Sequence, residues 1–436
     1  MIGLLAQMVA VVGARIASLA IWLVGLVLVY RLFGTGEGGL AEAGAFAFSL
    51  ALIKALVSFV GDAIDLHTMR AMPLLLREDR TRGHAVWRTA MALRLGLATV
   101  LAALLALAAP WVAALFLDDP DRAALLRVAA FAVFAELAYR GVLGYLQARE
   151  RFVALVALEA SLQVARLALI AALLLGWEAS ALAALSGYAA ASALVAASGL
   201  ALPFVMPREA FAGDWLRRAI VADTLGYVRW IVPAMLLAAL NERADIFLLA
   251  ALRGPVETGL YGAILPLALA PDMVGAFLAS VVQPKVAAMR AEGRYRAHAL
   301  PLTALFVPLA ALAALAFAWF REEVVLLTVG SAYLDAADAF AILFAGTMAW
   351  LALTPLSLAF VVLRRPRTTL VVSVAQSCFV LAVGLPLVGA LGVVGAAATI
   401  ASMRVVFGAA LWVLAWRDSA HEAVRAGRRR AADPLG

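Results

Sequence analysis

Gly34-Thr35-Gly36-Glu37-Gly38-Gly39-Leu40 recurs as Gly254-Pro255-Val256-Glu257-Thr258-Gly259-Leu260, one G-x-x-E-x-G-L pattern repeated 220 residues later. Each copy follows an apolar run long enough to cross a bilayer, which needs about 20 residues. A second correspondence sets Arg149 and Arg151 against Arg365 and Arg367 at an offset of 216, each pair at a short turn between two apolar runs. The chain reads as a duplicated membrane protein, and duplication of this kind puts the site where the two repeats meet.

Composition fixes the class. Of 436 residues 66% are apolar and 14% charged, and the mean hydropathy is +0.99, far outside soluble globular usage. Twelve stretches match the length of a spanning helix, near 8–30, 40–62, 86–109, 123–146, 152–175, 180–203, 222–250, 258–281, 299–319, 338–362, 368–388 and 392–416. Runs so long and continuous lack the alternation of barrel strands, so the fold class is an all-α polytopic membrane protein with twelve transmembrane helices.

Charge sets the orientation. Arg77, Arg80 and Arg82 follow the second span, and Arg208, Arg217 and Arg218 the sixth. Lys285, Arg290, Arg294 and Arg296 follow the eighth, Arg364, Arg365 and Arg367 the tenth, and Arg425, Arg428, Arg429 and Arg430 mark the tail. The alternate loops carry Glu37, Asp118, Asp119, Asp121, Glu178, Glu257, Glu322 and Glu323. The positive-inside rule then places both termini in the cytoplasm, and the net charge of +7 is topology signal that calls for no nucleic acid. The tail is also suited to anionic membrane lipids. Met1 to Ala10 lacks the basic start of a cleavable signal, so the first run is expected to remain as a span. Cys378 falls in the eleventh span and forms no internal disulfide.

The spans divide evenly: a six-helix bundle over 1–206, a basic linker over 207–218, a second six-helix bundle over 219–416 and a basic tail over 417–436. An even number of helices gives the halves parallel orientation, related by an axis along the membrane normal. Pro233, Pro266, Pro271 and Pro355 each remove a backbone donor inside a span, and bent helices are expected there.

The chemistry sits in charges within spans: Arg15, Lys54, Arg94, Arg140, Arg166 and Arg404. Each costs on the order of 2.5–3.5 kcal/mol near the bilayer centre, so they are paired or face water. Glu136 and Arg140 share a helix face at four residues' spacing, as do Glu159 and Arg166 at seven, so these arginines read equally as structural. Arg15 and Lys54 have no carboxylate within a turn, although Asp62 and Asp65 end the second span. Arg94 and Arg404 read as peripheral, snorkelling groups. Unpaired cations at depth select an anion, and arginine's planar fork suits phosphate. The second half adds Glu242, Arg243, Asp245 and Asp272. Asp272 is read either as an ion-coupling group, with Glu136 and Glu159 as further candidates, or as a partner of Arg243.

Tyr30-Arg31-Leu32-Phe33-Gly34 through Phe48 resembles the end of the first helix in polysaccharide flippases of the multidrug/oligosaccharidyl-lipid/polysaccharide exporter superfamily. Arg243 to Leu249, followed by Gly254 to Tyr261, is similar to that family's "D-x-x-x-L…G-x-x-x-x-G-x-Y" segment. Tyr145 to Phe152 resembles its inter-helix turn, and Gly392-Val393-Val394-Gly395-Ala396-Ala397 the opening of its last helix. The resemblance implies two six-helix bundles in a V, a pseudo-two-fold normal to the membrane, and alternating access. It implies translocation of undecaprenyl-diphosphate-linked oligosaccharide between leaflets for O-antigen, capsule or exopolysaccharide synthesis. The implied location is the inner membrane, and the implied partners are glycosyltransferases and a glycan polymerase of the same pathway. Diphosphate contacts then fall to Arg15, Lys54 and Arg243, with Arg140 and Arg166 as further candidates. In the first repeat Ala41 is expected at the aromatic position that Tyr261 fills in the second.

Two alternatives stand beside this reading. A cation-coupled multidrug antiporter of the same superfamily needs carboxylates around its substrate, and Glu136, Glu159 and Asp272 supply them. A membrane glycosyltransferase or glycan polymerase needs acid and base groups at the membrane face, where the outer loops are short. His67, His84, His298 and His421 are scattered, and no metal or cofactor motif accompanies them; the chain is expected not to be an enzyme.

Overall fold

The computed structural model describes residues 2–36, 38–176, 179–272, 275, 286, 289, 292, 294–364 and 366–432. Glu37, Glu178, Lys285, Arg290, Arg365 and most of the eighth span beyond Asp272 lie outside the described residues. The described secondary structure is helical throughout, as a long apolar chain without water for its backbone requires. Eight of its helices are long and apolar enough to cross a membrane.

Backbone contacts divide the chain into two compact units, Met1–Ala263 and Ile264–Gly436. The first begins with α1 (Ile2–Gly34), α2 (Gly39–Glu78) and α3 (Arg80–Phe116), followed by α4 (Ala123–Ala148), α5 (Phe152–Gly176) and α6 (Ala181–Ala201). The linker and α7 (Arg218–Glu242) come next, then most of α8 (Ala244–Ala268). Helix starts follow local chemistry. Asp79 accepts from the Arg82 amide at 3.1 Å to begin α3, and Ser180 accepts from the Ala183 amide at 3.2 Å to begin α6. Glu42 of α2 also accepts from the Ala181 amide at 2.6 Å and pairs with Arg122 at 2.8 Å, placing a carboxylate on the positive end of α6. The core of this unit gathers Met72, Trp87, Tyr145 and Leu146 with the α5 and α6 faces carrying Leu155, Leu158 and Val195.

The second unit holds α9 (Tyr295–Trp319), α10 (Arg321–Thr328), α11 (Ala337–Arg364), α12 (Pro366–Phe379) and α13 (Leu385–Ala432), with one π-helical turn over Val380–Gly384. Gly392, at φ 54°, breaks α13 where the eleventh span gives way to the twelfth. Gly346 of α11 lies so close to α13 that an added methyl would stand 2.4 Å from the Ala401 Cα. Of the span prolines, Pro233 sits inside α7, and α8 stops at Ala268, three residues before Pro271, which cannot donate to the Leu267 carbonyl.

The repeat has a different register from the sequence match. An added methyl on Gly44 would lie 1.8 Å from the Pro255 carbonyl oxygen and 3.0 Å from the Gly259 nitrogen. One on Gly259 would lie 2.0 Å from the Leu40 oxygen and 2.9 Å from the Gly44 nitrogen, and one on Gly262 would lie 2.3 Å from the Ala47 Cβ. These contacts mirror one another only if residues 215 apart correspond: Leu40 with Pro255, Gly44 with Gly259, Ala47 with Gly262. Gly254 then matches Gly39 rather than Gly34. Phe46, rather than Ala41, is the counterpart of Tyr261, and both rings are fully buried. In the first copy Phe46 packs edge-on against Tyr30; in the second Tyr261 donates to Asp245, the residue matching Tyr30, at 2.8 Å.

Candidate functional site

Five helices of the first unit bring the predicted cations together. On α5, Arg166 is 6% exposed. It donates to Glu136 of α4 and, at 3.1 Å, to the Ser192 hydroxyl of α6, which itself donates to Glu136 at 2.7 Å. Its guanidinium lies 4.0 Å from the Tyr188 ring centre and 5.2 Å from that of Trp22 on α1, so aromatic faces cover what the carboxylate leaves. Arg140 of α4 pairs with Asp62 of α2 at 2.6 Å, over Gly61, where an added methyl would sit 3.0 Å from Arg140 Nη1. Arg15 of α1 grips Glu159 of α5 through two hydrogen bonds of 3.0 and 3.2 Å. Arg94 of α3, buried, donates to Asp65 of α2 and leaves Nε and Nη1 without partners among the described residues.

Lys54 of α2 differs from all of these. Its side chain is exposed and makes no ion pair or hydrogen bond among the described residues. It lies within electrostatic reach of Arg243, Glu242, Arg166 and Arg140. Arg243, which caps α7, is buried and pairs at 3.1 Å with the exposed Glu242. Each arginine of the cluster thus has one carboxylate, and Lys54 is the cation left uncompensated among the described residues.

Asp272 belongs to the second unit. Both of its oxygens are held by Arg404, at 3.0 and 2.7 Å, and Arg404 also donates to Thr347 at 3.3 Å. Arg404 is therefore an internal partner rather than a snorkelling group, and Asp272 pairs with it rather than with Arg243. Asp272→Ala is expected to lower stability by about 1.5–3 kcal/mol. Adding Arg404→Met should cost little more, because both changes remove one interaction. Thermal unfolding of the single and double variants checks this; additive losses would contradict it.

The pairings departed from the sequence expectation for one reason. Glu136 faces Arg166 rather than Arg140, Glu159 faces Arg15 rather than Arg166, and Arg94 is buried on Asp65. Helical spacing identifies partners on the same helix, whereas these pairs join different helices, and a fully desolvated guanidinium such as Arg166 gains more from a carboxylate than half-exposed Arg140. Ser192, Tyr188 and Trp22 carried no signal, since a polar or aromatic residue on an apolar helix acquires its role only from the neighbour it meets.

A family model described as "Polysaccharide biosynthesis protein" matches residues 45–338. No curated protein sequence matches the chain. Among solved structures, an inward-facing multidrug resistance transporter of the MATE family, in the MOP superfamily, is similar at TM-score 0.70 and 12% identity, over 94% of this chain and 98% of that one. The lipid II flippase MurJ in an inward closed conformation is similar at TM-score 0.73 and 12% identity, over 96% and 90%. The Vibrio cholerae MATE transporter VcmN in its bent form gives 0.58 and 14%, over 96% and 99%. At these identities the likeness establishes the fold alone, an all-helical multi-pass one. With two thirds of its length matched by the family model, the chain belongs to the polysaccharide biosynthesis protein family.

Proposed function

We propose that the protein is a flippase that carries undecaprenyl-diphosphate-linked oligosaccharide from the cytoplasmic to the outer leaflet of the inner membrane. In this reading the halves 1–206 and 219–416, joined by 207–218, alternate access, and both termini are cytoplasmic. Glycosyltransferases supply the lipid-linked glycan and a polymerase consumes it. Lys54 receives the diphosphate, with Arg15, Arg140, Arg166 and Arg243 around it. The observation that carries this is Lys54, the exposed cation of this cluster without an ion pair among the described residues, amid arginines each balanced by one carboxylate. A dianionic headgroup supplies the missing charge, and the paired arginines re-aim part of their donor set toward it.

The family and the likeness to a lipid II flippase support a lipid-linked substrate. The test is translocation in proteoliposomes loaded with polyprenyl-diphosphate oligosaccharide. Lys54→Met is expected to weaken headgroup binding about ten- to a hundredfold, the loss of one hydrogen bond to a charged group, while Lys54→Arg retains most of it. Transport by Lys54→Met at the unmodified rate would reject Lys54 as a headgroup ligand.

The likeness to MATE transporters favours a second reading, a cation-coupled drug antiporter. There Asp272, Glu136 and Glu159 carry the coupling ion, which requires Arg404, Arg166 and Arg15 to swing off them. Ion-dependent drug efflux with no glycan translocation would select it.

A further inference from the structure

At the end of the first unit that holds the α2–α3 and α4–α5 turns and the linker, a polar cavity of about 290 Å³ is lined by Arg77, Arg80, His84, Arg149, Glu150 and Glu209. It lies apart from the Lys54 cluster, and no step proposed above uses it. We propose that it is a binding site for a phosphate group.

Three features carry this. The first is charge: Arg77 is paired with Glu150, whereas Arg80 is exposed and has no hydrogen bond or ion pair among the described residues. The second is a fixed set of donors. Arg149 Nη1 donates to the Tyr145 hydroxyl at 3.3 Å, and that hydroxyl lies 3.1 Å from Nε2 of the buried His84. Tyr145 thus ties Arg149 and His84 into one fixed set of groups at the cavity wall. Arg80 and the remaining N–H groups of Arg149 supply donors for the oxygens of a tetrahedral anion. The third is rigidity in the wall opposite. Arg88 is 1% exposed and donates to the linker carbonyls of Ala210 at 3.1 Å and Asp214 at 3.2 Å. Trp87 meets Phe211 and Trp215 ring against ring, so Pro207 and Glu209 are held in place rather than free to fill the space. Glu209 has no partner among the described residues and opposes an anion unless the ligand brings a hydroxyl for it to accept.

A bound phosphate would tie the α2–α3 turn, the α4–α5 turn and the linker into one block. By the cation pattern this end faces the cytoplasm, where such a group arrives either on a free solute or as the headgroup of an anionic lipid.

The experiment uses the full chain in two arms. In detergent, inorganic phosphate and glycerol phosphate are titrated calorimetrically; in nanodiscs, phosphatidylglycerol is counted against phosphatidylcholine by native mass spectrometry. Saturable binding is expected in at least one arm, weakened about tenfold by Arg80→Gln and further by Arg149→Gln, and strengthened for inorganic phosphate by Glu209→Gln. Response in the first arm alone assigns a solute; in the second alone, a lipid headgroup. Arg80 makes no hydrogen bond or ion pair among the described residues, so its variant reports binding rather than folding. Unsaturable binding in both arms, or equal binding by the unmodified chain and Arg80→Gln, overturns the site.

Discussion

Glu136→Leu is expected to destabilise the protein by about 3–5 kcal/mol, the cost of leaving Arg166 charged and buried without its carboxylate. The surroundings allow no easy escape. Arg166 is enclosed by Ser192, Tyr188 and Trp22, its Nε has no partner among the described residues, and hydroxyl and ring faces are weaker acceptors than a carboxylate. Three helices, α4, α5 and α6, converge on this one charge, so the loss spreads beyond one side chain. The double variant Arg166→Met/Glu136→Leu removes both charges and should recover most of the stability, because a buried ion pair and an apolar pair of similar volume are close in free energy. Its translocation should stay impaired if Arg166 also serves the headgroup. Thermal unfolding in detergent decides the first point; single and double variants that unfold alike would show that the pair does not govern packing.

Gly44→Ala is expected to be at least as damaging. Overpacking a core usually costs about 1–3 kcal/mol because side chains can turn away. Here the new methyl would meet backbone, at 1.8 Å from the Pro255 oxygen, and only separation of α2 from α8 relieves it. A cost above about 3 kcal/mol follows. Gly259→Ala should match it, and the double variant should lose less than the two singles together, since one separation of the helices accommodates both methyls. Gly96→Ala is the control: nothing lies within 4 Å of its added methyl, and replacing a mid-helix glycine there should be neutral or stabilising by about 0.5–1 kcal/mol. Folded yield and unfolding temperature, compared between Gly44→Ala and Gly96→Ala, provide the check, and equal behaviour would remove the crossing from the account.

How much of this was readable in advance depends on the range of the information. Hydropathy is summed along one helix, so the all-helical membrane class and the length of the spans followed from residues such as those of α5 and α9 without reference to any neighbour. The duplication was also readable, through the G-x-x-E-x-G-L stretch, but its register was misjudged by five residues because glycine and leucine recur too often to anchor an alignment. Only the reciprocal contacts of Gly44 and Gly259 fix it. The cations of the site were identified by depth, since Lys54 and Arg166 stand in apolar runs. Their partners were not. Asp62 reaches Arg140 and Glu159 reaches Arg15 across helices distant in sequence, and nothing in a periodicity of 3.6 residues reports which faces of different helices meet.

The reciprocal crossing has the geometry of a dyad. Where residue 44 meets 255 and 40 meets 259, the two copies touch as identical subunits do across a dyad, each position against its own equivalent's neighbour. In a homodimer such a surface would take every substitution on both sides at once, and a glycine at the axis would have no freedom to change. Within one chain each side varies alone: Tyr30 and Phe46 form an aromatic pair where Asp245 and Tyr261 form a hydrogen-bonded one.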